Sequence, residues 1–337
     1  MAEAPAPTPS AGRARVGAID CGTNSIRLLV ADVAPDGTLT DVVRRMEVVR
    51  LGAGVDRTGR IDPAAMARTL AMAREYAGQC TELGATAIRF VATSASRDAA
   101  NADEFIAGVS AAYAAWSVVP EVVSGDEEAA LSFRGATGDL RAAGIAGPYL
   151  VVDLGGGSTE FVRGTDVVEA ARSTDIGCVR MTERHLRSDP PSRAEVDAAL
   201  GDIRVAVDHA AHAVDFAEVS TLVGLAGTVT TVTAYVLGLT AYDPAAIHLA
   251  VRPVEVLRQA CRDLVAMSRA ERAALPFMHP GRVDVIGAGA LIWEQVLARV
   301  DAETLDARGG PHGRPLTVVT SEHDILDGIA LSAAEGS

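Results

Sequence analysis

The chain has 337 residues, 49% of them hydrophobic, and a formal net charge of -14 at pH 7. That length exceeds one ordinary hydrophobic core and predicts two domains, while no apolar run is long enough to span a membrane, so no membrane partner is expected. The acidic balance argues against a protein that coats nucleic acid. All 30 basic residues are arginine, which excludes a Walker-A loop and Schiff-base chemistry and leaves Arg as the one side-chain cation for phosphate.

Residues 1–14 are rich in Ala, Pro and Ser and lack the apolar segment of a secretory signal, so they read as a disordered tail. Strands are predicted near 15–20, 26–33 and 39–50. A helix over 62–83 starts with Asp62 at the N-cap and Pro63 in the first turn. A strand at 87–92 runs into a polar turn, 93–97, that carries Arg97. A helix at 101–115, a short strand at 118–122 and a helix opening at Ser124 complete the first domain, 15–133.

The second half repeats the plan. Strands fall near 149–153, 158–163 and 167–173, and helices near 177–187 and 193–214. A strand at 221–224 enters a Gly/Thr turn and a helix. Helices follow near 253–267 and 280–299, then a Gly/Pro-rich loop at 307–315, a strand at 316–319 and a helix at 322–333. The second domain is expected over 134–331, with 332–337 as a tail. Strands alternating with helices indicate an α/β class, and the repeat is the duplication of a whole domain. Cys21, Cys80, Cys178 and Cys261 are isolated, without metal-ligand spacing, and read as free thiols of a cytoplasmic protein.

Two stretches carry the duplication. One runs Ala18-Ile19-Asp20-Cys21-Gly22-Thr23-Asn24-Ser25, the other Val152-Asp153-Leu154-Gly155-Gly156-Gly157-Ser158-Thr159-Glu160. Each is an apolar strand ending in Asp, followed by a Gly-rich turn with hydroxyls. Glycines let backbone N–H groups approach a ligand, and such donors suit phosphate oxygens. An Asp at each strand end, Asp20 and Asp153, can hold a hydrated divalent metal, with Mg²⁺ the expected ion. Gly227 and Thr228 mark a third turn of this kind.

Ser124-Gly125-Asp126-Glu127-Glu128-Ala129 opens a helix with the spacing of a capping box between Ser124 and Glu127. Glu128 is not needed for the cap and is left to take a proton from an attacking water. Arg97, in its polar turn, is as well placed for a phosphate as for solvent. His209 and His212 have helical spacing, but no third ligand is evident.

These three motifs, in order, resemble the exopolyphosphatase / guanosine pentaphosphate phosphohydrolase family, over residues 16–330, and in particular its short, two-domain branch. The resemblance implies two actin/sugar-kinase/Hsp70-like halves around a cleft, and Mg²⁺-assisted hydrolysis of terminal phosphoanhydride bonds. It implies catalytic roles for Glu128, Arg97, Asp153 and Glu160. The expected substrate is inorganic polyphosphate of short chain length, bound through Gly22, Thr23, Asn24, Ser25, Gly155, Gly156, Gly157, Ser158, Thr159, Gly227 and Thr228. Guanosine pentaphosphate is the alternative substrate, with guanosine tetraphosphate a further ligand. The family is compatible with a homodimer, although no interface signal stands out.

Overall fold

The computed structural model describes residues 12–307 and 316–336. The expected N-terminal tail up to residue 11 and the loop at 308–315 lie outside the described residues. The chain divides into two compact units, Met1–Gly135 with Ile325–Ser337, and Ala136–Asp324.

The first unit begins with β1 (Ala14–Cys21), β2 (Ser25–Val33) and β3 (Leu39–Val48). A single turn, α1 (Val55–Thr58), precedes α2 (Pro63–Glu82), β4 (Ala87–Ala92), α3 (Ser94–Asp98), α4 (Ala102–Ala112), β5 (Glu121–Val122) and α5 (Gly125–Ala142). The Asp62 carboxylate accepts the N–H groups of Ala64 and Ala65, and Pro63 occupies the first turn of α2, as expected. The turn predicted at 93–97 is instead the one-turn helix α3, with Arg97 in its last turn, where its side chain reaches the Val123 carbonyl just after β5.

The sheet order is β3-β2-β1-β4-β5, with β2 antiparallel to both neighbours and β4 and β5 parallel to β1. Alternation splits β1 and β2 between two cores. Ile19, Cys21, Ile26, Leu28 and Val30 pack towards α2 and α4. Val16, Ala18, Leu29, Ala31 and Val33 belong to a second cluster on the other face. Burial on both faces is why these strands read as continuous apolar runs. Each fully buried aliphatic side chain there contributes about 1.5–3 kcal/mol.

The second unit contains β6 (Tyr149–Leu154), β7 (Thr159–Gly164), β8 (Val168–Thr174), α6 (Cys178–His185), α7 (Arg193–Val214), β9 (Thr221–Leu225) and α8 (Ala226–Leu237). It continues through α9 (Pro244–Ile247), β10 (Ala250–Arg252), α10 (Val254–Ala266), α11 (Arg269–Ala273), α12 (Ile286–Ala307) and β11 (Thr317–Thr320). Its sheet runs β10-β11-β9-β6-β7-β8. Read from β8, the order and directions of β8-β7-β6-β9-β11 repeat those of β3-β2-β1-β4-β5, with β10 added antiparallel at the edge. The expected duplication is therefore an architectural one. Gly287 and Gly289 of α12 bring that helix against Arg272 and Thr228, where a Cβ would sit 2.9 Å from the Arg272 guanidinium and 2.3 Å from Thr228 Oγ1.

The last helix, α13 (Ile325–Glu335), departs from the sequence expectation. The sequence places it in the second domain, with a tail from residue 332, whereas in the structure it packs on the first sheet. Ile325, Leu326, Ile329, Ala330 and Ala333 cover Val16, Ala18, Leu29 and Ala31. Gly328 allows the contact, since a Cβ there would lie 2.0 Å from the Leu131 carbonyl oxygen. Arg44 of β3 reaches over the helix and donates from both terminal nitrogens to the buried Asp327 carboxylate, at 3.2 and 2.5 Å. We expect Asp327→Ala to cost about 2–4 kcal/mol in urea unfolding, because it strips a largely buried pair of one partner. Asp41→Ala, which removes an exposed partner of Arg44, should cost less than about 1 kcal/mol. Equal costs would show that the Asp327 pair does not anchor α13.

Candidate active site

The two Gly-rich turns have the same internal wiring. Gly22 N–H donates to the Ser25 carbonyl at 2.9 Å, and Gly155 N–H to the Ser158 carbonyl at 3.0 Å. Both N–H groups therefore close their turns and are not phosphate donors, which corrects the expectation for Gly22 and Gly155. The N–H groups of Thr23, Asn24, Gly156 and Gly157 donate to no partner among the described residues. The carbonyl sides of the turns are held from behind. Asn24 and Thr23 carbonyls accept from Arg50, Val49 and Gly52, while Gly155 and Gly156 carbonyls accept from Cys178, Val179 and Arg180 at the start of α6. Helix-start donors without intrahelical partners thus pin the second turn. Gly177 makes the approach feasible, for a Cβ there would meet Gly156 backbone at 2.4 Å. Sequence reading missed Gly177.

On the first unit, Asp20 at the end of β1 lies opposite Arg27 of β2, and Arg27 donates to Asp20 Oδ2 from Nε at 2.9 Å and from a terminal nitrogen at 2.6 Å. This ion pair engages one oxygen of the carboxylate proposed as a metal ligand. Thr23 is buried, and its hydroxyl shares a 2.8 Å hydrogen bond with that of Ser94. Asn24 and Ser25 complete the turn.

Arg97 and Glu128, distant in sequence, come together. One Arg97 nitrogen donates to the Val123 carbonyl at 2.8 Å and to a Glu128 carboxylate oxygen at 3.2 Å. Glu128, 8% exposed, lies in the first turn of α5. The Ser124 hydroxyl accepts the Glu127 N–H at 3.2 Å, which is one half of the expected capping box. The Glu127 carboxylate pairs instead with Arg89 at 2.8 Å. The two adjacent glutamates therefore face different environments: Glu127 is an exposed ion-pair partner, and Glu128 is enclosed beside Arg97.

On the second unit, Asp153 lies opposite Glu160 in the β6–β7 ladder, the position equivalent to Asp20 opposite Arg27. Both carboxylates are buried, and the Ser173 hydroxyl donates to Glu160 at 2.7 Å. The duplication has therefore placed an acid–base pair in one unit and two acids in the other. The seven-residue spacing from each Asp was a readable signal for Arg27. Ser158 is buried in its turn. Thr159 is not a phosphate ligand through its hydroxyl, which donates inward to the Ile176 carbonyl at 2.6 Å.

Gly227 and Thr228 open α8, immediately after Ala226, which holds a positive φ of 67°. For a residue with a Cβ this is a strained backbone conformation of the kind that marks functional turns. The Arg282 guanidinium fills the space beside Gly227, where a Cβ would lie 2.4 Å from it. It donates to Thr231 Oγ1 at 3.3 Å and stacks over Tyr242. Arg282 is a cation at a Gly/Thr turn that sequence reading did not find, because it lies far away in the chain between two helices. His209 and His212 lie elsewhere, lining an open cavity of about 760 Å³ with Arg172, Thr174 and Arg184.

The profile of the Ppx/GppA phosphatase family matches residues 29–310. The chain belongs to that family. Exopolyphosphatase 2 of Mycobacterium tuberculosis is 51% identical over 325 residues, covering 95% of this chain and 98% of the relative. A crystal structure of an exopolyphosphatase-like protein is 43% identical, with a TM-score of 0.89, and covers 95% of this chain and 99% of its own. The guanosine-5'-triphosphate,3'-diphosphate pyrophosphatase of Aeromonas salmonicida is 30% identical over 87% of this chain and 56% of its own length. Membership in this phosphatase family agrees with the order of the three motifs. Among the described residues, no helix is long and apolar enough to cross a membrane.

Proposed function

We propose that this Ppx/GppA family member is an exopolyphosphatase that releases orthophosphate from the ends of short inorganic polyphosphate chains. The observation that carries the reading is Glu128, enclosed at the start of α5 and held by Arg97. The near-complete coverage of a relative named Exopolyphosphatase 2 supports polyphosphate over guanosine pentaphosphate, whose named relative is more distant and longer.

In this mechanism Glu128 accepts a proton from the attacking water as its oxygen bonds to the terminal phosphorus, and the bridging P–O bond breaks towards the remaining chain. Arg97 orients the Glu128 carboxylate and offers its remaining N–H groups to the charge that develops on the transferred group. Each unit supplies a turn whose N–H groups suit phosphate oxygens, Thr23 and Asn24 in the first and Gly156 and Gly157 in the second. Arg282 adds a cation at Gly227. Asp153 and Glu160, two buried carboxylates at one register position, suit a hard divalent ion such as Mg²⁺, whereas Asp20 is engaged by Arg27. When bound, that ion would neutralise phosphate charge. The four cysteines are free and buried, which suits a reducing, cytoplasmic setting.

The test is orthophosphate release from short polyphosphate, long polyphosphate, guanosine pentaphosphate and ATP, with Mg²⁺ and after chelation. Short polyphosphate should give the highest kcat/KM, and chelation should abolish turnover. With a net charge of -14, added chain length meets repulsion, which salt screens beyond about 8 Å at physiological ionic strength. A preference for guanosine pentaphosphate over every polyphosphate would overturn the substrate, and full activity after chelation would overturn the metal requirement.

A further inference from the structure

Three side chains that the hydrolytic chemistry does not use converge on the second unit. Asp139 projects from the C-terminal half of α5, His248 follows α9, and His323 follows β11. One Asp139 carboxylate oxygen lies 2.5 Å from His323 Nδ1 and 3.3 Å from His248 Nε2. The imidazole centroids are 4.5 Å apart with the rings tilted by 40°. The potential ligand atoms of all three residues lie within 4.8 Å of one another.

We propose that Asp139, His248 and His323 form a zinc-binding site, separate from the residues assigned to phosphate hydrolysis. Zn–N and Zn–O bonds of about 2.0–2.2 Å put neighbouring tetrahedral ligand atoms roughly 3.3 Å apart. The His248–Asp139 spacing already has that value, and the His323–Asp139 spacing requires an opening of under about 1 Å. Two imidazoles with one carboxylate favour zinc over Mg²⁺, which prefers oxygen ligands. All three side chains are only partly buried, so an ion can enter and solvent can supply the fourth ligand.

The surrounding backbone holds the ligands in place. Ser321 Oγ donates to the His323 carbonyl and accepts the His323 N–H, which pins the loop. Leu249 N–H donates to the Thr320 carbonyl, tying the residue after His248 to the strand before His323. His248 Nδ1 accepts the Glu322 N–H at 3.3 Å, and while that contact lasts a neutral ring carries its proton on Nε2. Ligation through Nε2 places the ring proton on Nδ1, so zinc loading opens that long contact.

The test uses the full chain. Metal content after exposure to Zn²⁺ and gel filtration should be one zinc per chain, and equimolar Zn²⁺ should raise Tm where Mg²⁺ at the same concentration does not. Cobalt(II) at the site should give a visible d–d absorption band. His323→Gln and His248→Gln keep polar side chains and should each weaken zinc binding at least about 100-fold, and both should still release orthophosphate. His209→Gln should leave zinc binding unchanged. Wild-type protein that retains no zinc, or retention undiminished in both His248→Gln and His323→Gln, would overturn the site and leave a hydrogen-bonded Asp–His cluster.

Discussion

Glu128→Gln is expected to lower kcat for orthophosphate release by about 10²–10⁴-fold, the usual contribution of a positioned general base. Glutamine has the size of glutamate and can still accept the Arg97 hydrogen bond, so Tm should change little. Glu127→Gln is the control from the neighbouring position. Its loss concerns an exposed pair with Arg89, and it should leave kcat nearly unchanged. Steady-state kinetics of both variants on one polyphosphate separates the roles. Equal activities, or an inactive Glu127→Gln enzyme, would reverse the assignment.

Arg97→Ala should reduce kcat by about 10²–10³-fold, the magnitude typical of removing a donor aimed at developing charge. Two functions are lost together: the hydrogen bond that orients Glu128 and the cation available to the phosphoryl group. Arg97→Lys keeps the charge and could still reach Val123 and Glu128 from one nitrogen, but it lacks the planar guanidinium whose other N–H groups are offered to the phosphoryl group, so it should recover little activity. A double-mutant cycle with Glu128→Gln should be strongly non-additive, since both residues act as one unit. Wild-type turnover in Arg97→Ala would return this arginine to a structural role at the Val123 carbonyl.

The duplicated architecture was legible because one chemical pattern occurs twice, an apolar strand ending in Asp and then a Gly turn. Asp62 and Pro63 likewise marked the start of α2 through strictly local chemistry. Features that depend on distant partners were not legible. The apolar stripe of α13 shows that it must cover something, but not that Val16, Ala18, Leu29 and Ala31 are what it covers. α3, α9, α11 and β10 are too short for any periodic signal. Ser124 and Glu127 have capping-box spacing, yet Arg89, approaching from another strand, takes the Glu127 carboxylate. Thr159 resembles a ligand in its turn, and only the position of the Ile176 carbonyl reveals that its hydroxyl faces inward. Arg282 reaches Gly227 from fifty-five residues away, and no local pattern encodes that approach.

The return of α13 to the first sheet imposes an order on biosynthesis. The strands of the first unit emerge from the ribosome before the second unit, but the helix that covers one of their faces is made only after it. At translation rates of about 5–20 residues per second, roughly 10–40 s separate Gly135 from Ile325. During that interval Val16, Ala18, Leu29 and Ala31 lack their final cover, while the continuous segment 136–324 can complete its own core. The second unit is thus the one suited to fold first, although it is encoded second. A chain cut after Asp324 would leave Val16, Ala18, Leu29 and Ala31 without that cover however long it had to fold.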